Sequence, residues 1–156
     1  MTELDPSPDK KQQAAGKLFA QGMQLFNKRL WSEAEASFIQ SGRLSPTSLA
    51  WLAGAIAAWR QERFTSVAAC VEWALHAIPI RKTPQSTEGI AWFEAGDWAG
   101  VETSFSSLLN APPVDTPTYL FLCIALINQG RLDEAGEQLM AGWRQEMADS
   151  EVQAES

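Results

Sequence analysis

Histidine and tyrosine each occur once in this chain, and cysteine only twice. These scarcities remove several chemistries before any motif is sought. His76 alone cannot build a multi-histidine metal site, and no second base is on hand to activate a serine or cysteine nucleophile. Cys70 and Cys123 lie in apolar stretches without metal or redox spacing, so both are expected to be small buried hydrophobes. No apolar run reaches the roughly 18 to 20 residues that span a bilayer. The start, "MTELDPSPDKKQQ", lacks the basic-then-apolar pattern of a signal peptide. A cytoplasmic protein with no membrane-inserted segment is therefore expected. No glycine-rich phosphate loop occurs either, because the spaced glycines of "AGDWAG" follow no strand. Together these absences predict a protein that is not an enzyme and that carries neither metal nor cofactor.

What the chain does have is apolar residues, at 46% of 156, and an uneven charge. Residues 1 to 81 carry a net charge of +2 and residues 82 to 156 carry −9. A chain with no clustered basic face is a poor partner for nucleic acid. The acidic half either keeps the surface soluble or orients a protein partner or a second copy, so a homo-oligomer stays open.

The chain also repeats itself. "EAGDWAGVETSF" (94–105) and "NQGRLDEAGEQL" (128–139) align with Gly96 over Gly130, Trp98 over Leu132, Val101 over Ala135 and Phe105 over Leu139, each pair 34 residues apart. A step of 34 back from Trp98 reaches Phe64, and a further step of 33 reaches Trp31. Such a period is the mark of stacked helical hairpins, each too small to bury its own apolar face.

The units resemble the tetratricopeptide repeat. The first offers Leu18, Gly22, Leu25, Trp31, Ala34, Phe38 and Pro46; the second Trp51, Gly54, Ala55, Phe64, Ala74 and Pro79. The third offers Gly89, Trp92, Gly96, Trp98, Phe105 and Pro113; the fourth Tyr119, Cys123, Leu126, Gly130, Leu132, Ala135 and Leu139. Arg29 and Glu62 stand where the turn glycine belongs in the first two units, and Val67 and Val101 replace the packing alanine. The resemblance implies an all-α, right-handed α-solenoid of about four tandem helix-turn-helix hairpins. The expected organisation is a flexible N-terminal arm (1–14), a repeat domain (15–147, with units at about 15–47, 48–81, 82–115 and 116–147) and an acidic C-terminal tail (148–156). Small residues at Gly22, Ala55, Gly89 and Cys123 let paired helices approach, with the aromatics filling the space left at the crossing. Ser32 with Glu35 reads as a capping box, Asp133 as a cap, and Pro84 and Pro117 as first-turn residues. Trp31, Trp51, Trp92 and Trp98 fall on packing positions.

In this family the first helix of each hairpin lines a concave groove. The resemblance therefore implies a partner-binding wall of Phe19, Met23 and Phe26, then Leu52, Ile56 and Trp59, then Ile90 and Phe93, then Leu120, Ile124 and Ile127. The family's carboxylate clamp needs Lys, Asn and Arg where this chain has Phe19, Met23, Ala53, Thr83 and Thr87. A wall this apolar is expected to be covered. The candidates are a partner peptide or helix, a second copy, the N-terminal "KKQQAAG" arm, or the C-terminal helix around Trp143. Two functions follow from the resemblance: a non-catalytic adaptor that docks a protein partner in the groove, or a chaperone like those of bacterial type III secretion translocators.

Overall fold

Four tight turns set the architecture. Each leaves a helix through a residue with positive φ: Arg29 at 62°, Glu62 at 58°, Gly96 at 73° and Gly130 at 75°. At each, the left-handed residue donates its N–H three residues back and its successor donates five back. The bonds are Arg29 to Phe26 and Leu30 to Leu25, Glu62 to Trp59 and Arg63 to Ala58, Gly96 to Phe93 and Asp97 to Trp92, and Gly130 to Ile127 and Arg131 to Leu126, all 2.9–3.1 Å. This is the Schellman arrangement, which satisfies carbonyls that a helix end would otherwise leave bare. Two of the four turns force a side chain into a region that disfavours it by roughly 1–2 kcal/mol. The packing on either side overrides that preference.

The computed structural model describes residues 8–155. They form eight helices: α1 (Pro8–Asn27), α2 (Trp31–Leu44), α3 (Ser48–Arg60), α4 (Phe64–His76), α5 (Pro84–Ala95), α6 (Trp98–Leu108), α7 (Thr116–Asn128) and α8 (Leu132–Glu155), with no strand among the described residues. They pair in sequence as four hairpins, as the repeat predicts. Helix α1 begins at Pro8, within the segment assigned to the N-terminal arm, and residues 1–7 of that arm lie outside the described residues. At the other end α8 runs on through the segment assigned to a tail, 24 residues long, or ~36 Å at 1.5 Å per residue.

Inside each hairpin a small residue faces a large one 16 positions later. A Cβ on Gly22 would lie 2.7 Å from the Phe38 ring, and one on Gly89 would lie 2.4 Å from the Phe105 ring. Where the small residue grows to Ala55 or Cys123, its counterpart shrinks to Val71 or Leu139. The pairs conserve volume, which close-packed interiors demand.

Between hairpins the packing takes a turn that periodicity does not specify. Helix α2 packs on α3 and α6 on α7, but α4 packs on α7 rather than α5, and α3 packs on α8. The second and fourth hairpins thus close on each other as a ring, α3–α4–α7–α8, while α5 and α6 sit outside it against α7. The main core runs through this ring: Leu52, Ile56, Val67 and Val71 meet Leu120, Cys123, Ile124 and Leu139. Helices α3 and α7 are the enclosed members, α3 buried at every position from Ala50 to Ala58 and α7 from Thr116 to Leu126 at every position but the half-buried Tyr119. Both are apolar on all sides, the composition that suits enclosure.

Capping matches expectation in part. Thr83 and Ser86 form a capping box with Pro84 in the first turn of α5, and Pro117 opens α7. Ser32 and Glu35 do not form one. Helix α2 starts from Leu30 without a side-chain cap, and Glu35 is buried, accepting from Gln61 Nε2 at 2.7 Å and Arg63 Nη1 at 2.8 Å. A buried carboxylate is held by partners that can neutralise it, and here Arg63 takes precedence over the local backbone.

Candidate partner-binding surface

Helix α3 forms the floor of the candidate site. Its small residues Ala53 and Ala57 join Ala34 and Phe38 of α2 in a buried cluster, and Phe19, Met23, Leu25 and Phe26 of α1 pack against that cluster. Phe26 and Trp143 pack against this cluster and the main core alike, so they join the two.

The opposite wall comes from α8. Gly136 lies against Trp59, where a Cβ would stand 2.6 Å from the ring, and Gly142 lies against Leu120 at 2.9 Å. Further along, Glu146 accepts hydrogen bonds from Ser48 Oγ at 2.5 Å and Thr116 Oγ1 at 2.9 Å. Ser48 and Thr116 are the first residues of α3 and α7, so one carboxylate ties together two helix N-termini, where negative charge is favoured. The C-terminal helix is thereby fixed across the inner face of α3.

The eleven residues of the expected wall consequently separate. Leu52, Leu120 and Ile124 are fully buried in the ring, and Ile56 nearly so. Ile127 is half-buried against the same core. Ile90 and Phe93 ride on α5, outside the ring, where Phe93 meets Trp98 and Phe121 edge-on at 5.6 and 5.2 Å. Trp59 packs on Gly136 and edge-on to Phe64 at 5.0 Å. Met23, Phe26 and Ile56 come together with Met140 and Trp143 around a cleft of about 180 Å³. A second cleft of about 390 Å³ lies between Trp59 and α8 and shares Ile56, Arg60 and Met140 with the first. What stays open is thus a pair of adjoining clefts along α8, with Met140 37% exposed. Arg60 stands at both, its guanidinium 5.6 Å from the centre of the Trp31 ring.

Met140, Glu146 and Arg144 were missed in the sequence because their roles depend on where α8 crosses α3. Only Trp143 signalled it, as a large aromatic in a helix past the last repeat position. Trp92, expected in the core, lies over Gly100 of its own hairpin and is 39% exposed.

Both cysteines are free and buried. Burial pushes their thiols up to about 12, aided at Cys70 by the nearby Glu35 carboxylate, so neither is a nucleophile at neutral pH. Among the described residues no three His, Cys, Asp or Glu side chains converge as metal ligands would. No described helix is long and apolar enough to cross a membrane.

Eight helices in sequential hairpins with a recurring left-handed turn define a protein of tetratricopeptide-like, all-α repeat type. No family model and no curated protein matches the sequence. Among solved structures, a crystal structure of MamA is similar over 91% of this chain and 81% of that chain, at 14% identity and a TM-score of 0.46.

Proposed function

We propose that this protein is a non-catalytic interaction scaffold that takes an apolar segment of a protein partner in the cleft floored by α3 and walled by α1 and α8. The observation that carries this reading is the incomplete cover that α8 gives. It fixes the inner face yet leaves adjoining apolar clefts beside Met23, Phe26, Ile56 and Met140. An amphipathic helix with anchors every three or four residues suits such a cleft, with Arg60 and Arg144 at its margin available to a carboxylate.

The test is a photo-crosslinking amino acid placed at Met140 in the cell of origin, with Met147 of the same helix, also exposed, as the control. A defined partner captured from position 140 and lost when Met23→Asp is added supports the scaffold. Equal capture from both positions, or capture indifferent to Met23→Asp, overturns it.

A further inference from the structure

On the other side of the first two hairpins, between α2 and α4, lies a larger cavity of about 600 Å³ that the repeat register did not anticipate. Its floor is Trp51, held down because Gly42 has no Cβ: one there would stand 2.7 Å from the indole. Trp73 stacks on Trp51 with ring centres 5.4 Å apart and planes 17° from parallel, and it meets His76 edge-on at 5.9 Å. Trp73 is also 56% exposed, the most of any large apolar side chain described. A half-bare indole fixed by stacking is a preformed aromatic platform.

The rim has its own charge. Arg43 and Arg63 line the cavity against one carboxylate, Glu35, which is buried and already bonded to Arg63 and Gln61. Arg43 makes no ion pair or hydrogen bond among the described residues, and the Arg63 side chain is 52% exposed. On a chain of net charge −7, this is a cationic rim around an aromatic slot.

We propose that the α2–α4 cavity is a second docking site, taking a peptide segment in which an aromatic side chain is flanked by carboxylates. The aromatic ring extends the Trp51–Trp73 stack, and the carboxylates pair with Arg43 and the free edge of Arg63. The volume lies within the range of small recognition pockets and suits one aromatic side chain with its neighbours. This site is independent of the α1–α8 cleft, so either can fail while the other stands.

The experiment uses the full chain and a fluorescein-labelled peptide, Gly-Asp-Glu-Trp-Asp-Gly, with anisotropy as the readout. Two control peptides replace its Trp by Ala or its acids by Asn and Gln. Binding is expected to weaken on the order of tenfold in Trp73→Ala and in either control peptide, and severalfold in Arg43→Gln. Because Trp73→Ala could disturb Trp51, Arg43→Glu provides a second arm: it should reject the acidic peptide and accept one with Lys in place of the acids. Equal affinity across variants or peptides overturns the proposal. So does binding of indole-3-carboxylate without the peptide, which would mark a small-molecule site. A Trp73→Ala variant that merely turns a dimer into a monomer in sedimentation would likewise overturn it, by assigning the platform to a second copy.

Discussion

Helices α5 and α7 hold the same place in successive repeats, yet one is peripheral and the other enclosed. Helix α7 reads "TPTYLFLCIALIN" and is ringed by α4, α6 and α8. Helix α5 reads "PQSTEGIAWFEA", packs on α6 with a light touch on α7, and buries only Ser86 and Gly89. Register therefore fixes which residues face the hairpin partner, while the composition of the other faces decides what else the helix can meet. A helix apolar all round cannot sit at the edge of a stack, and α3 and α7 both qualify. Their mutual enclosure follows from closing the second hairpin on the fourth.

The largest expected effect breaks this comparison directly. Leu120→Ala in α7 empties a fully enclosed site and should cost about 2–5 kcal/mol. Ile90→Ala in α5, at a half-buried position, should cost well under half as much. Urea unfolding of both variants measures the difference, and similar costs would mean that α5 is as enclosed as α7.

Next comes the clasp that holds the ring shut. Glu146→Ala removes one acceptor from Ser48 and Thr116 together, and hydrogen bonds to a charged group contribute roughly 1.5–3 kcal/mol. The loss should appear as faster amide exchange at the start of α3 and α7, with α5 unchanged. A uniform change across all helices would show that Glu146 does not act through those two N-termini.

Gly89→Ala tests the peripheral hairpin on its own terms. The new methyl group would stand 2.4 Å from the Phe105 ring, itself stacked on Phe121 at 4.5 Å, so the ring cannot retreat freely. Overpacking of this kind costs about 1–3 kcal/mol. Gly16→Ala, with open space around its position, should be neutral or slightly stabilising. Thermal unfolding of the two variants separates packing from helix propensity.

Local and periodic features were legible in the sequence. The turn positions, the helix pairs and the small residues at Gly22 and Gly89 follow from spacing, whereas their particular partners Phe38 and Phe105 emerge only from the folded hairpins. The crossing of α8 over α3 was not, because Ser48 and Glu146 are 98 residues apart and no local preference links them. For the same reason the expected wall divided: Met23, Phe26 and Ile56 share a cleft, whereas Leu120 and Ile124 face the interior of the ring. Nor did the register reveal Trp73, because it lies off the packing positions and gains its platform only when Gly42 lets Trp51 lie flat.

The smallest expected effect sharpens what the repeat itself contributes. All four turns adopt the same left-handed geometry, but only Gly96 and Gly130 suit it. Glu62→Gly should relieve roughly 1–2 kcal/mol of backbone strain, offset by roughly 0.5–1 kcal/mol because glycine loses more freedom on folding. The net expectation is a gain of about half a kcal/mol, visible as a small rise in the urea midpoint with an unchanged slope. Arg29→Gly should behave alike, since its turn carries the same two hydrogen bonds. Gly130→Ala should move the other way, because nothing within 4 Å of its position would be crowded and only the φ of 75° resists the substitution. If Glu62→Gly instead destabilised the protein, the side chain at this turn would be making a contribution larger than the strain it imposes, and the equivalence of the four turns would hold in geometry but not in energy.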